Sequence, residues 1–161
     1  MIKKINLIFL TFFNIGKINY APGSVASFVV CVLFYLSVNI INIWLLLLFT
    51  LIIFLYSFVA INNSYDQFKS EDPEEIVIDE VVGQLLPLIF IPVYETLYPL
   101  PKIYYCIAAF LLFRIFDIWK PYPIRNIDRN VEGALGIMLD DVYAGFYTIL
   151  ILVPMFFFLG G

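Results

Sequence analysis

The sequence predicts an all-α, multi-pass integral membrane protein, a single domain over residues 1–161 with about four to five membrane helices and polar loops on the cytoplasmic face. Three observations predict it. Hydrophobic residues make up 63% of the 161 and charged ones only 14%, too little polar surface to cover a chain of this size in water. Apolar runs long enough to cross a bilayer recur along the chain, and the charges collect between them.

Residues 1–14 are basic at Lys3 and Lys4 and then apolar, too short a run to cross and without a small-residue cleavage site, so they read as an interfacial helix or the start of the fold. Residues 15–24 (IGKINYAPGS) form a Gly/Pro-punctuated loop. The 37 residues from Val25 to Ile61 carry no charge and predict a transmembrane hairpin turning at Asn39 to Asn42. Residues 62–80 hold a solvated acidic loop with Asp66, Lys69, Glu71, Asp72, Glu74 and Glu75, and end on Asp79 and Glu80. Val81 to Tyr98 is apolar but contains Pro87 and Pro92, which suits a kinked span or a re-entrant segment. Ile103 to Trp119 is apolar until Arg114 and Asp117, residues 120–141 are polar and glycine-containing, and Val142 to Leu159 reads as a last apolar helix.

If all five long segments span, eight of the nine basic and twelve of the thirteen acidic residues share one face, which the positive-inside rule makes cytoplasmic. The net charge of −4 argues against a nucleic-acid partner. Histidine is absent, which excludes a His base, a Ser-His-Asp triad and a His-ligated metal within this chain. Cys31 and Cys106 lie inside apolar runs and read as small buried hydrophobes.

Four polar clusters meet on the charged face. In Ala21-Pro22-Gly23-Ser24, Ser24 is placed either as a plain helix cap or, with Gly23, beside backbone N–H groups open to an anion. In Asp79-Glu80-Val81-Val82-Gly83-Gln84, helical spacing sets Glu80 with Gln84 and Asp79 with Gly83, either as a charged helix start or as a hard-cation site. Arg114, Asp117 and Lys120 recur every third residue as a polar stripe, read either as a structural ion pair or as function, on a helix that Pro121 stops. In the fourth, Asp140 and Asp141 place two more carboxylates at the start of a membrane helix, among small residues that permit close backbone approach. Two acidic pairs beside arginines and a lysine favour a metal-plus-phosphate site, because a bound Mg²⁺ reverses the local field that would repel a phosphate.

The strings APGS, VIDEVVGQ, LFRIFDIWKPYPIRNIDR and GIMLDDVYAG, in this order over most of residues 16–145, resemble the phosphatidylglycerophosphatase A family of bacterial membrane phosphatases. The resemblance implies an all-helical, Mg²⁺-dependent hydrolase of the inner membrane that converts phosphatidylglycerophosphate to phosphatidylglycerol. Ser24 and Ala26 stand where the family commonly has Thr and Gly, and Glu132 and Ala134 where it often has His and Gly. Within these motifs Asp79, Glu80, Asp140 and Asp141 are the expected catalytic carboxylates. They are also the expected metal ligands, together with Asp117, for one or two Mg²⁺ ions. Arg114, Lys120, Arg125, Arg129, Gly23 and Ser24 are expected to bind the phosphorylated head group, while apolar helices hold the acyl chains. A water would attack the phosphorus in line and give its proton to a carboxylate, direct attack by an aspartate being less favoured. Two rivals fit less well: a divalent-cation transporter predicts acids deep in several spans, and the Asp-Gly and Ala-Arg elements of a phosphatidyltransferase are missing.

Overall fold

A computed structural model describes residues 2–37, 39–68 and 73–159. Among these the chain forms eight α-helices. They are α1 (Ile2–Leu10), α2 (Pro22–Ser37), α3 (Ile43–Ser64), α4 (Ile78–Ile89), α5 (Ile91–Leu97), α6 (Lys102–Trp119), α7 (Ile124–Asn130) and α8 (Gly133–Leu159). No strand occurs among the described residues. Lys69, Glu71 and Asp72 of the expected acidic loop lie outside them, while Glu74 and Glu75 are exposed as expected.

The two uncharged helices are present but do not form the expected transmembrane hairpin: α2 packs on α4 and α6 and α3 on α1, α4 and α8, and the 16 residues of α2 are too few for a full crossing. Uncharged α2 and α3 flank a turn containing Asn39, and Asn42 caps α3 by accepting a hydrogen bond from the Trp44 N–H at 2.8 Å. Among the described residues, α3 and α8 are the two helices long and apolar enough to cross a bilayer. At 1.5 Å per residue they reach about 33 and 40 Å, against a hydrocarbon core of about 30 Å. Leu48, Ile52 and Leu55 are exposed along one outward stripe of α3, a surface suited to lipid.

Two further sequence expectations change. Of the two alternatives for residues 81–98, the kinked span is the one that falls: α4 ends at Ile89 and α5 starts at Ile91, two short helices in place of one long one. Twelve residues of α4 rise only about 18 Å, too short to cross, and the helix is buried at the centre of the bundle against α2, α3, α6 and, most extensively, α8. The last helix begins at Gly133 rather than Val142, so Asp140 and Asp141 lie in its third turn, about 12 Å from its start. The run GALGIML continues the helix through the stretch whose charges and glycines suggested a loop.

Gly83 and Gly145 explain how closely α4 and α8 pack. A Cβ on Gly145 would come within 2.5 Å of the Gly83 carbonyl oxygen, and one on Gly83 within 2.7 Å of the Asp141 carbonyl oxygen. Only hydrogen at these positions lets the two backbones touch, the small-residue packing that membrane helices favour. Asp79 precedes Gly83 by one turn and Asp141 precedes Gly145 by one turn, so the crossing delivers both acidic motifs to the same place.

Elsewhere α1 packs on α3, with Tyr56 donating to the Asn6 Oδ1 at 2.8 Å and an exposed Lys3–Asp66 ion pair at 2.6 Å. The Val77 N–H donates to the Leu10 carbonyl at 3.0 Å and ties the approach to α4 against α1. Cys31 and Cys106 are buried free thiols.

Candidate active site

One turn before the glycine crossing, carboxylate oxygens of Asp79, Glu80 and Asp141 lie within 4.8 Å of one another. Asp141 is buried, whereas Asp79 and Glu80 sit in the first turn of α4 and are partly open. Three carboxylates this close repel strongly unless a cation joins them or protons are shared among them. Burial pushes the Asp79 carboxyl well above its usual range, with the charge of Glu80 adding to it. Burial also pushes Glu80 up to about 7, Asp117 adding to the rise and Arg114 opposing it. An all-oxygen, anionic donor set suits a hard divalent cation, and the buried Glu80 Oε2, which no hydrogen bond satisfies, supports the same fit.

Gly23 brings α2 to this cluster. A Cβ there would lie 1.7 Å from Glu80 Oε1, so the missing side chain is the space the carboxylate occupies. Ser24 follows it in the same first turn of α2.

On α6, Arg114 pairs with Asp117 and lies 3.9 Å from Glu80 Oε1 through Nη1. The ion pair that the stripe offered as one alternative therefore exists and stands at the edge of the acidic cluster. Arg114 Nε is buried without a hydrogen-bond partner. The expected stripe breaks at Lys120, which leaves the helix in a left-handed conformation with φ of 47°. That turn, costly for a residue with a Cβ, sends Nζ to Asp140 Oδ2 at 2.7 Å and to Asp128. Burial works to lower the lysine pKa, but the Asp140 and Asp128 carboxylates overcome it and hold the ammonium above its ordinary range.

The structure thus sorts the expected site residues. Asp79, Glu80 and Asp141 converge; Asp117 and Asp140 stand beside them, occupied by Arg114 and Lys120. Arg129 lines a cleft of about 660 Å³ bounded by Asp140, Asp128 and Glu132, with Asn62 from the end of α3. Arg125 is exposed on α7 with no acidic partner among the described residues. Sequence reasoning missed Asn62, Asp128 and Glu132 as cleft residues, since nothing in their spacing links them. Gln84, which helical spacing set beside Glu80, was given no role there. Gln84 is fully buried with both amide atoms unpartnered, one turn beyond Glu80 on the side that the i, i+4 spacing assigned to it.

The family described as Phosphatidylglycerophosphatase A matches residues 8–156. A Bacteroides thetaiotaomicron protein, provisionally named a phosphatidylinositol-3-phosphatase, is 34% identical over 151 residues, covering 88% of this chain and 87% of its own. A Haemophilus influenzae protein named Phosphatidylglycerophosphatase A is 34% identical over 139 residues, 86% of this chain and 81% of its own. The Escherichia coli protein of that name is 43% identical over 74 residues, 46% of this chain and 39% of its own. No solved structure matches the chain.

Proposed function

The chain belongs to the phosphatidylglycerophosphatase A family, and on that premise we propose that it removes the terminal phosphate of phosphatidylglycerophosphate in the bacterial inner membrane, with Mg²⁺ as cofactor. The observation that carries this reading is the convergence of Asp79, Glu80 and Asp141 beside Arg114.

Asp79, Glu80 and Asp141 are the residues that would hold the metal, with Asp140 and Asp117 next to them. When bound, Mg²⁺ supplies Lewis-acid polarisation of the phosphoryl oxygens and offsets the clustered negative charge. Arg114 presents a guanidinium whose buried Nε has a donor to spare, and its fork matches phosphate oxygens. Lys120 and Arg129 flank the cleft and attract the anionic head group; Arg125 extends that positive edge. Gln84 offers a buried amide to a group seated in the site. A partly open carboxylate of the pair Asp79 and Glu80 accepts the proton of the attacking water. Gly23 keeps the space into which the Glu80 carboxylate fits.

The site faces the cytoplasm in this reading. Asn62, at the end of α3, and Asp128 and Arg129 of α7 line one cleft, which supports a shared polar side for residues 62–67 and 124–132.

The test is phosphate release by the detergent-purified protein from phosphatidylglycerophosphate, with Mg²⁺ or with a chelator. Equal release in both conditions removes the metal from the mechanism, and no release favours the transporter. A phosphatidylinositol 3-phosphate arm tests a second reading, which rests on the name of the Bacteroides thetaiotaomicron relative.

A further inference from the structure

We infer that the apolar groove between α3, α4 and α8 holds a fatty acyl chain of the lipid phosphate being hydrolysed, so that one slot seats head group and tail together. The groove measures about 370 Å³, at the lower end of the roughly 300–1,000 Å³ of small-molecule sites. Its lining is apolar except for Thr50, whose hydroxyl is already committed to the Leu46 carbonyl at 2.9 Å. Nothing in it invites water or a polar group.

Its position singles it out from the rest of the apolar surface. On α4 the groove residues Val82, Leu86 and Ile89 continue the helical stripe that Asp79 begins. On α8, Val142 follows Asp141 directly. On α3, Leu47, Leu51 and Phe54 lie on the stripe that reaches Asn62 of the polar cleft two turns later. Phe54 to Asn62 is about 12 Å along the axis, a separation that a phospholipid bridges between its phosphate and the upper part of its chains. The same two long helices, α3 and α8, thus wall a polar cleft near the carboxylates and an apolar groove on the bilayer side. A molecule charged at one end and aliphatic at the other fits that order.

The chain is remote from the reacting phosphorus, so its binding counts equally in ground and transition states and appears in KM rather than kcat. Leu51→Trp puts an indole into the groove from its lipid-facing wall, and Leu48→Trp, exposed on the same helix outside the groove, is the control. Methylenes displaced from the groove return to lipid or detergent rather than to water, so what is lost is packing contact and not hydrophobic transfer. Leu51→Trp should therefore raise KM for a long-chain phosphatidylglycerophosphate by about three- to fivefold while leaving kcat, and the kinetics of a soluble short-chain analogue, within about twofold. Equal losses on both substrates, no loss on the long chain, or the same loss with Leu48→Trp would overturn the assignment. Leu51→Phe gives a milder variant if the indole disturbs folding.

The inference rests on the phosphatase reading, and a second measurement separates their failures. A lipid monophosphate carrying a photoreactive diazirine in its tail should label the α3 and α4 walls of the wild-type protein. Excess unlabelled lipid monophosphate should suppress the labelling and excess phosphatidylcholine should not. Suppression without any turnover would keep the groove and discard the phosphatase; labelling that either lipid competes equally would mark bulk bilayer contact and discard the groove.

Discussion

Gly23→Ala separates metal binding from folding, because the two should move in opposite directions. Gly23 is the second residue of α2, where alanine is the better helix former by less than the ~1 kcal/mol of a helix interior. The added Cβ would stand 1.7 Å from Glu80 Oε1 and 2.6 Å from its Cδ. Ordinary carbon contacts need about 3.5–4.0 Å, so the carboxylate must withdraw by about 2 Å. Glu80 can do this, since the clashing atoms are the end of a flexible side chain. The cost falls on the cation instead: Mg²⁺ holds its oxygens at about 2.0–2.1 Å in near-octahedral geometry and tolerates no such shift. Half-saturating Mg²⁺ should rise by about 10–100-fold. The assay is thermal unfolding in detergent with chelator and with saturating Mg²⁺, alongside phosphate release against Mg²⁺ concentration. With chelator the variant should melt at or slightly above the wild type. The gain in stability on adding Mg²⁺ should shrink by up to about 2.7 kcal/mol, the linkage value of a hundredfold change in affinity. An unchanged Mg²⁺ requirement would refute the placement of Gly23 against a metal-holding Glu80. A metal-free protein destabilised by more than about 2 kcal/mol would refute the claim that Glu80 yields freely.

Gly145→Ala should behave differently, because its Cβ meets the Gly83 carbonyl rather than a movable side chain: expect about 1–3 kcal/mol of destabilisation in chelator as well as weaker Mg²⁺ binding. Asp79→Asn and Asp141→Asn should each lower turnover by about 10³-fold with the folded protein retained, and near-normal activity in either would remove that residue from the site. The raised value at Glu80 means that the folded protein binds more protons than the unfolded one between roughly pH 4.3 and pH 7. In chelator, stability should therefore fall as pH rises through that window; urea midpoints that stay flat would contradict the buried acidic cluster. Single cysteines at Asp66 and Asn126, in a Cys31→Ser, Cys106→Ser background, should label from the same side of the membrane, and opposite accessibility would break the shared polar face.

The helices α2 and α3 and the turn between them were legible because an uncharged 37-residue run broken by two asparagines has few other solutions, but their packing on α4 rather than on each other was not. The two acidic motifs were legible as partners because carboxylates next to apolar helices need a common reason to be there. Local pattern did not show that α4 would be a short buried helix: Val81 to Ile89 is as apolar as a span, and only packing against helices on all sides distinguishes a bundle centre from a lipid-facing helix. The early start of α8 was hidden for a related reason, since Gly133 and Gly136 read as loop residues. Gly136 instead allows the Val131 carbonyl to approach, where a Cβ would come within 1.9 Å. Lys120 left its stripe because the left-handed turn before Pro121 redirects it, which helical periodicity cannot express.

The contact between Gly83 and Gly145 also acts mechanically, as a pivot. Bilayers of different thickness tilt long helices, and α8 runs from Gly145 about 21 Å to its end at Leu159. A tilt of about 10° about that pivot moves the far end by almost 4 Å but Asp141, one turn away, by only about 1 Å. The carboxylates thus sit near the still point of the lever, so a membrane that thins or thickens would displace the outer end of the helix several times further than the acidic cluster.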